Sequence, residues 1–300
     1  MSFLQIPYRK ARDGFWGAQT STLNWCEEDY NITAYCAELV NSATNLTFIW
    51  LGVRGIRDCL RFNHPPIFIV AFLGYIVVGL GSIAFHSTLK YSMQLADELP
   101  MIYTTCILGY ATFSYAASRL VSVLVGLAMF GLALFITVVY YVTKDPVFHQ
   151  CSFAALTIAV VFRAMFTMEY QLRPALQIRS PGRTDVVMRQ LWTLSFVGIT
   201  LFLVGFTIWN LDNIYCVHLR TWREILLLPW AIVLEGHGWW HLFTGLAYYF
   251  IIWRLWLHRC LDGSENQYML QLDSPFTSIP RVVTVSAVHL DNGSAKKRND

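Results

Sequence analysis

Seven stretches of mostly apolar residues divide this 300-residue chain, each close to the roughly 20 residues that a helix needs to cross a bilayer. By hydropathy they run over Tyr35–Leu60, Pro66–His86, Asp97–Ala117, Leu120–Thr143, Val147–Tyr170, Val187–Trp209 and Leu226–Leu257. In hydrocarbon every backbone N–H and C=O must be satisfied inside the protein, which restricts spanning segments to helices or closed barrels. The expectation is an all-α membrane protein, a bundle of seven transmembrane helices. Asn41, Ser42, Thr44 and Asn45 interrupt the first span, as polar positions facing a bundle interior can. Charged residues make up 14% of the chain, against about 25% in soluble domains. The net charge of +3 is too small to suggest a nucleic-acid partner, and no protein partner is inferred.

Basic residues orient the bundle. One set of connections carries Arg54, Arg57, Arg61, Arg119, Arg173, Arg179, Arg183, Arg189, Arg254 and Arg259; the other carries Arg9, Lys10, Arg12, Lys90, Lys144, Arg220 and Arg223. The excess on the first side predicts a lumenal N-terminus and a cytosolic C-terminus. Met1–Gly17 holds no apolar run, so no cleaved signal peptide is expected and the first span serves as the targeting signal. The chain then divides into a lumenal segment (1–34), a transmembrane catalytic domain (35–258) and a cytosolic tail (259–300) whose mixed polarity predicts disorder. Lys296, Lys297 and Arg298 near its end only loosely resemble a di-lysine retrieval signal.

Glu235–Gly236–His237–Gly238–Trp239–Trp240–His241 lies inside the last apolar stretch. His237 and His241, at i and i+4, share one helix face, and ionisable residues at membrane depth are functional-site candidates by default. His86 closes the second stretch, with Ser82 one turn before it. Asp97 is expected to open the third helix close to where the second ends, so that Ser82, His86 and Asp97 converge at one depth. Three histidines and a water make the open zinc site of a hydrolase, with Asp97 as general base and Ser82 as a hydrogen-bond donor to an oxyanion or to the water. The other reading makes these histidines hydrogen-bonded interfacial or core residues. Glu98 reads as a helix-N-terminal charge; His64, His149, His218, His258 and His289 carry no such pattern.

Ser21–Tyr30, with Glu27, Glu28 and Asp29, is an acidic loop before the first span, and Glu38 follows it. Dense oxygen ligands suit Ca²⁺, although the spacing is not that of an EF-hand and a solvated acidic loop explains it as well. Cys26 and Cys216 both fall on the lumenal side, where a disulfide can form; the other five cysteines read as packing residues. The sequons at Asn31, Asn45 and Asn292 lie too near the membrane or on the cytosolic side to be used.

Ser21–Tyr30, Gly81–His86, Leu89–Tyr91, Met93–Tyr103 and Gly236–His241 together resemble the alkaline ceramidase family, within the wider superfamily that holds the adiponectin receptors. The resemblance runs from about Gly14 to about Leu257. It implies zinc on His86, His237 and His241 with Ser82 and Asp97 beside it. It also implies calcium on Asn24, Trp25 (through its carbonyl), Glu27, Asp29 and Glu38, and it supports the Cys26–Cys216 disulfide. Asn24 stands where the family has aspartate, and Asp29 where asparagine is common. The implied reaction is hydrolysis of ceramide-type lipids to a sphingoid base and a fatty acid, in the endoplasmic reticulum membrane or, as an alternative, the Golgi. A seven-helix lipid receptor with structural zinc is the competing reading; the acidic loop, which a receptor does not need, argues against it.

Overall fold

The computed structural model describes residues 6–246, 248–272 and 278–286; Lys296–Arg298, His289 and Asn292 lie outside them. Among the described residues eleven α-helices follow one another: α1 (Leu39–Thr44), α2 (Leu46–Arg61), α3 (Pro66–Thr88), α4 (Tyr91–Phe113), α5 (Arg119–Thr143), α6 (Pro146–Thr167), α7 (Arg173–Arg179), α8 (Thr184–Ile214), α9 (Cys216–Leu226), α10 (Gly236–Gly245) and α11 (Tyr248–Leu261). A single π-helical turn, Met168–Leu172, joins α6 to α7.

Local chemistry sets the helix ends. Pro66 and Pro146 open α3 and α6, where a missing N–H leaves nothing unpaired. Asp145 caps α6 by accepting from Val147 N at 3.0 Å, and Ser118 does the same for α5 through Val121 N at 3.4 Å. α3 stops at Leu89, which takes the left-handed conformation (φ 51°), and Lys90 is the only other residue before α4. So short a link makes α3 and α4 antiparallel neighbours.

Among the described residues, four helical segments are long and apolar enough to cross a membrane: Pro66–Thr88, Arg119–Thr143, Pro146–Arg179 and Pro181–Ile214. The remaining three expected spans depart from plain hydropathy, and each carries polar residues of the site described below. The first is broken at Asn45 into α1 and α2. α4 carries Gln94, Asp97 and Glu98. The last is split into α10 and α11. α5 lies at the periphery, with Leu127, Phe130 and Val142 exposed, while α3 packs between α2 and α4.

Two expectations change. Asp97 does not open a helix: α4 begins at Tyr91, which puts Asp97 and Glu98 in its second turn, so Glu98 is no helix-N-terminal charge. The segment after the last span is not a disordered tail over its described residues. α11 runs on to Leu261, and an antiparallel hairpin, β1 (Tyr268–Gln271) with β2 (Arg281–Thr284), pairs Tyr268 with Thr284 and Gln271 with Arg281. Leu270, Val282 and Val283 bury themselves in the same core as Phe62, Trp256 and Cys260. Glu265 is fully buried and accepts from Arg179 Nε and Nη2 at 2.9 Å and from Ser180 Oγ at 2.7 Å. Arg281 pairs with Asp58 at 2.8 and 2.5 Å. Mixed composition hid this docking, because each strand contributes only two buried side chains.

Candidate metal centre and its cavity

Main-chain geometry brings the site together at one end of the bundle. Gly81 of α3 lies so close to α4 that a Cβ there would collide with the Ala96 carbonyl; only glycine permits this approach. Ser82 and His86 on α3 are thereby set against Asp97 on α4, and Ser82 and Asp97 share the wall of one cavity. His237 and His241 come from α10. Asp212 of α8 orients that helix by accepting from Gly236 N at 3.1 Å, one of the N–H groups that a helix start leaves unpaired.

The donor atoms of His86, His237 and His241 all lie within 4.8 Å of one another, and all three residues are buried. Their ring centroids are 4.5 to 5.1 Å apart. Each imidazole has a nitrogen to spare. His86 Nδ1 is hydrogen-bonded to Glu38 Oε2, and its buried Nε2 has no protein partner. His241 Nδ1 lies 3.1 Å from the Thr44 hydroxyl oxygen and 3.2 Å from the Asn45 side-chain amide nitrogen, which leaves Nε2 as the ring nitrogen for a metal. His237 stacks on Trp25, with centroids 4.3 Å apart, and its Nδ1 is buried without a partner. Orphaned imidazole nitrogens cost free energy in a dry interior. Two of them, on His86 and His237, converge with the His241 ring in a donor set that suits zinc.

The expected calcium residues also gather, in a different arrangement. Glu27 is buried and accepts from Val40 N at 2.8 Å and Asn41 N at 2.9 Å. Glu38 accepts from Trp25 N at 3.1 Å, and Asp29 Oδ2 accepts from the Asn24 amide at 3.1 Å. The Trp25 carbonyl accepts from Arg220 Nη2 at 3.4 Å. Burial first, then the Glu235 and Glu38 carboxylates, pushes the Glu27 carboxyl well above its ordinary range. Asp29 Oδ1 is buried and unpartnered. Buried negative charge with a free carboxylate oxygen fits a divalent cation. Among the described residues, however, only the three histidines bring three acidic, thiol or imidazole donors within 4.8 Å of one another.

The Cys26–Cys216 disulfide is present and ties the acidic loop to α9. Beside it lies a network that the sequence did not announce. Arg223, fully buried, donates to the Cys26 carbonyl at 2.7 Å, to Asp212 at 3.0 Å and to the Leu234 carbonyl at 2.7 Å, and pairs with Glu235 at 3.1 Å. Tyr8 donates to Glu235 at 2.7 Å. The sequence showed the members of this network only singly, Arg223 as a basic residue of a connection and Glu235 at the head of the histidine run, with nothing to pair them. Thr44 was likewise visible only as one of the polar interruptions of the first span.

The histidines open onto a cavity of about 310 Å³. Ser82, Asp97, His237 and His241 stand on its wall, and aliphatic and aromatic side chains of α3, α4, α6, α8, α10 and α11 form most of the rest. Fold and site together define a helical membrane protein with a three-histidine, metal-competent centre at the head of an apolar cavity. The Ceramidase family profile matches residues 17–283. Alkaline ceramidase 3 of Mus musculus is 37% identical over 243 residues, covering 79% of this chain and 84% of its own. Alkaline ceramidase YPC1 of Saccharomyces cerevisiae is 36% identical over 258 residues, covering 80% and 77%. The chain belongs to the ceramidase family.

Proposed function

We propose that this chain is a zinc-dependent intramembrane amidase that hydrolyses ceramide-type lipids to a sphingoid base and a free fatty acid. The observation that carries the reading is the convergence of His86, His237 and His241 with the Ser82–Asp97 pair on the wall of an apolar cavity. An amide flanked by two long chains needs such a cavity, and its reaction needs a proton acceptor beside the carbonyl.

His86, His237 and His241 would hold the zinc, which when bound supplies Lewis acidity toward a carbonyl oxygen and makes water more acidic. Asp97 accepts the proton of the attacking water and returns it to the nitrogen as the C–N bond breaks, so that the amine leaves neutral. Ser82, beside Asp97, can turn its hydroxyl toward the oxyanion. The apolar walls hold both chains and exclude bulk water. Calcium, on Glu27, Asp29, Glu38, Asn24 and the Trp25 carbonyl, would brace the loop that carries Trp25 against His237 and Glu38 against His86. The reading includes seven spans with a lumenal N-terminus, in the endoplasmic reticulum before the Golgi.

The test pairs turnover with metal content. Purified protein should release fatty acid from a ceramide and contain one equivalent of zinc, and His237→Ala should lose both. Asp97→Asn should keep zinc while turnover falls by about 10²-fold or more. Full amidase activity in a zinc-free protein would overturn the reading.

A further inference from the structure

One polar cluster on the cavity wall is not used by the reaction above. Glu98 of α4 and His149 and Gln150 of α6 line the cavity that holds Asp97 and Ser82. Behind Glu98, Gln94 Nε2 donates to Glu98 Oε2 at 3.0 Å and to Thr22 Oγ1 at 2.8 Å, and the Tyr140 hydroxyl donates to the same carboxylate oxygen. α4, α5 and the lumenal loop thus hold Glu98 Oε2 in place. Side chains this polar have no role in gripping a hydrocarbon tail, and burying them costs free energy unless every donor and acceptor is met.

One acceptor pair is not met. His149 Nε2 lies 2.9 Å from the Glu98 main-chain oxygen. A carbonyl can only accept, so Nε2 carries the hydrogen and the neutral ring presents Nδ1 as a bare lone pair. That Nδ1 is buried without a hydrogen-bond partner and lies 3.5 Å from Glu98 Oε1. Two acceptors facing each other call for a donor, and the cavity is the side from which one can come.

The geometry points to Glu98 and His149 as the subsite for the free hydroxyl groups of the sphingoid head. The inference rests on the amidase reading and deepens it. In an N-acyl sphingoid base the hydroxyls sit on the carbons next to the one that bears the nitrogen, so their binding groups must adjoin the catalytic carboxyl. Glu98 follows Asp97 in the chain and shares its cavity. A hydroxyl donates to Glu98 Oε1 or His149 Nδ1, and Gln150 is within the same wall for the second. The subsite also selects: a phosphorylated head would bring negative charge against Asp97 and Glu98, so free-hydroxyl heads are the substrate class.

The test compares a ceramide with its 1-deoxy counterpart of the same chain lengths, in mixed micelles with full-length protein. Wild type should favour the hydroxylated lipid by about tenfold or more in kcat/KM, as expected for a lost hydrogen bond to a charged group. Glu98→Gln and His149→Phe should erase most of that preference through KM for the hydroxylated lipid, leaving the 1-deoxy lipid unchanged. A preference that persists in both variants, or a loss shared equally by the two lipids, overturns the assignment. If Glu98→Gln fails to fold, by melting and zinc content, His149→Phe decides alone. Competition of the two lipids for binding to Asp97→Asn separates this inference from the reaction. A head preference in binding that depends on Glu98, beside a zinc-loaded wild type that hydrolyses neither lipid, would sink the amidase reading and keep the subsite.

Discussion

Gly81 shows how much of this site depends on a residue with no side chain. Its missing Cβ is what lets α3 approach the Ala96 carbonyl and set Ser82 beside Asp97. Gly81→Val should therefore push the helices apart by about an ångström, enough to cost on the order of 10²-fold in kcat. The three histidines should still hold zinc, because two of them stand on α10. Parallel measurement of bound zinc and of turnover checks this; normal turnover would mean that the contact is not limiting. The catalytic types were legible in the sequence because histidine and aspartate are conspicuous in apolar stretches. Their supports were not. Thr44 beside His241 and Asp212 under Gly236 read as minor polar interruptions, and only tertiary contacts reveal which imidazole or N–H each one meets. Glu98 and His149 failed for a related reason: hydropathy places a residue near a helix end without showing what it faces.

Among elements, the sequence reads well where a helix is uniformly apolar and poorly where it carries the site. α3, α5, α6 and α8 fall within several residues of their expected ranges, while the first and last spans break at Asn45 and after Gly245. α10 is short and starts where Asp212, Arg223 and Glu235 meet. Arg223 is the one cation paired with both carboxylates, so Arg223→Met would leave two buried acids without their partner. A loss of about 3–5 kcal/mol in stability is expected, seen as a lower melting temperature and as earlier loss of zinc on heating; an unchanged melt would show that the network is not structural. The hairpin at the opposite end has its own sensor. Burial first, with the Arg259 guanidinium adding to it, depresses His64 to about 4. Its neutral ring donates from Nε2 to the Val282 carbonyl at 2.9 Å and accepts at Nδ1 from Arg259 at 3.3 Å. A folded value below the unfolded 6.5 means that the unfolded form binds the proton more readily. The contribution is therefore complete above pH 6.5 and drains away as the pH falls toward 4. Hydrogen exchange in β2 should accelerate over that window, and His64→Gln should flatten the dependence.

At the scale of the whole molecule, the contacts separate two polar ends. Cys26, Lys90, Cys216 and Arg223 meet at one, where Lys90 Nζ donates to the Ala18 carbonyl at 2.5 Å. Asp58, His64, Arg179, Glu265 and Arg281 meet at the other. A disulfide is stable only on the oxidising side, and the excess of arginine at the opposite end belongs on the cytosolic side. Both arguments support the orientation proposed above, with the acidic loop and the three histidines toward the lumen and the hairpin toward the cytosol. This requires seven crossings, three of them by segments too broken or too polar to register as plain apolar spans. Single cysteines test it in a Cys151→Ser background, since Cys151 is an exposed free thiol. Gly182→Cys, between α7 and α8, places the thiol where a Cβ meets nothing within 4 Å, and Asp13→Cys places one in the exposed lumenal segment. An impermeant maleimide should reach position 182 once the plasma membrane alone is opened, and position 13 only after the internal membranes are opened as well. The reverse order would invert the bundle. Labelling of both at the first step would place them on one side, and an even number of crossings between them would replace the odd number that seven spans require.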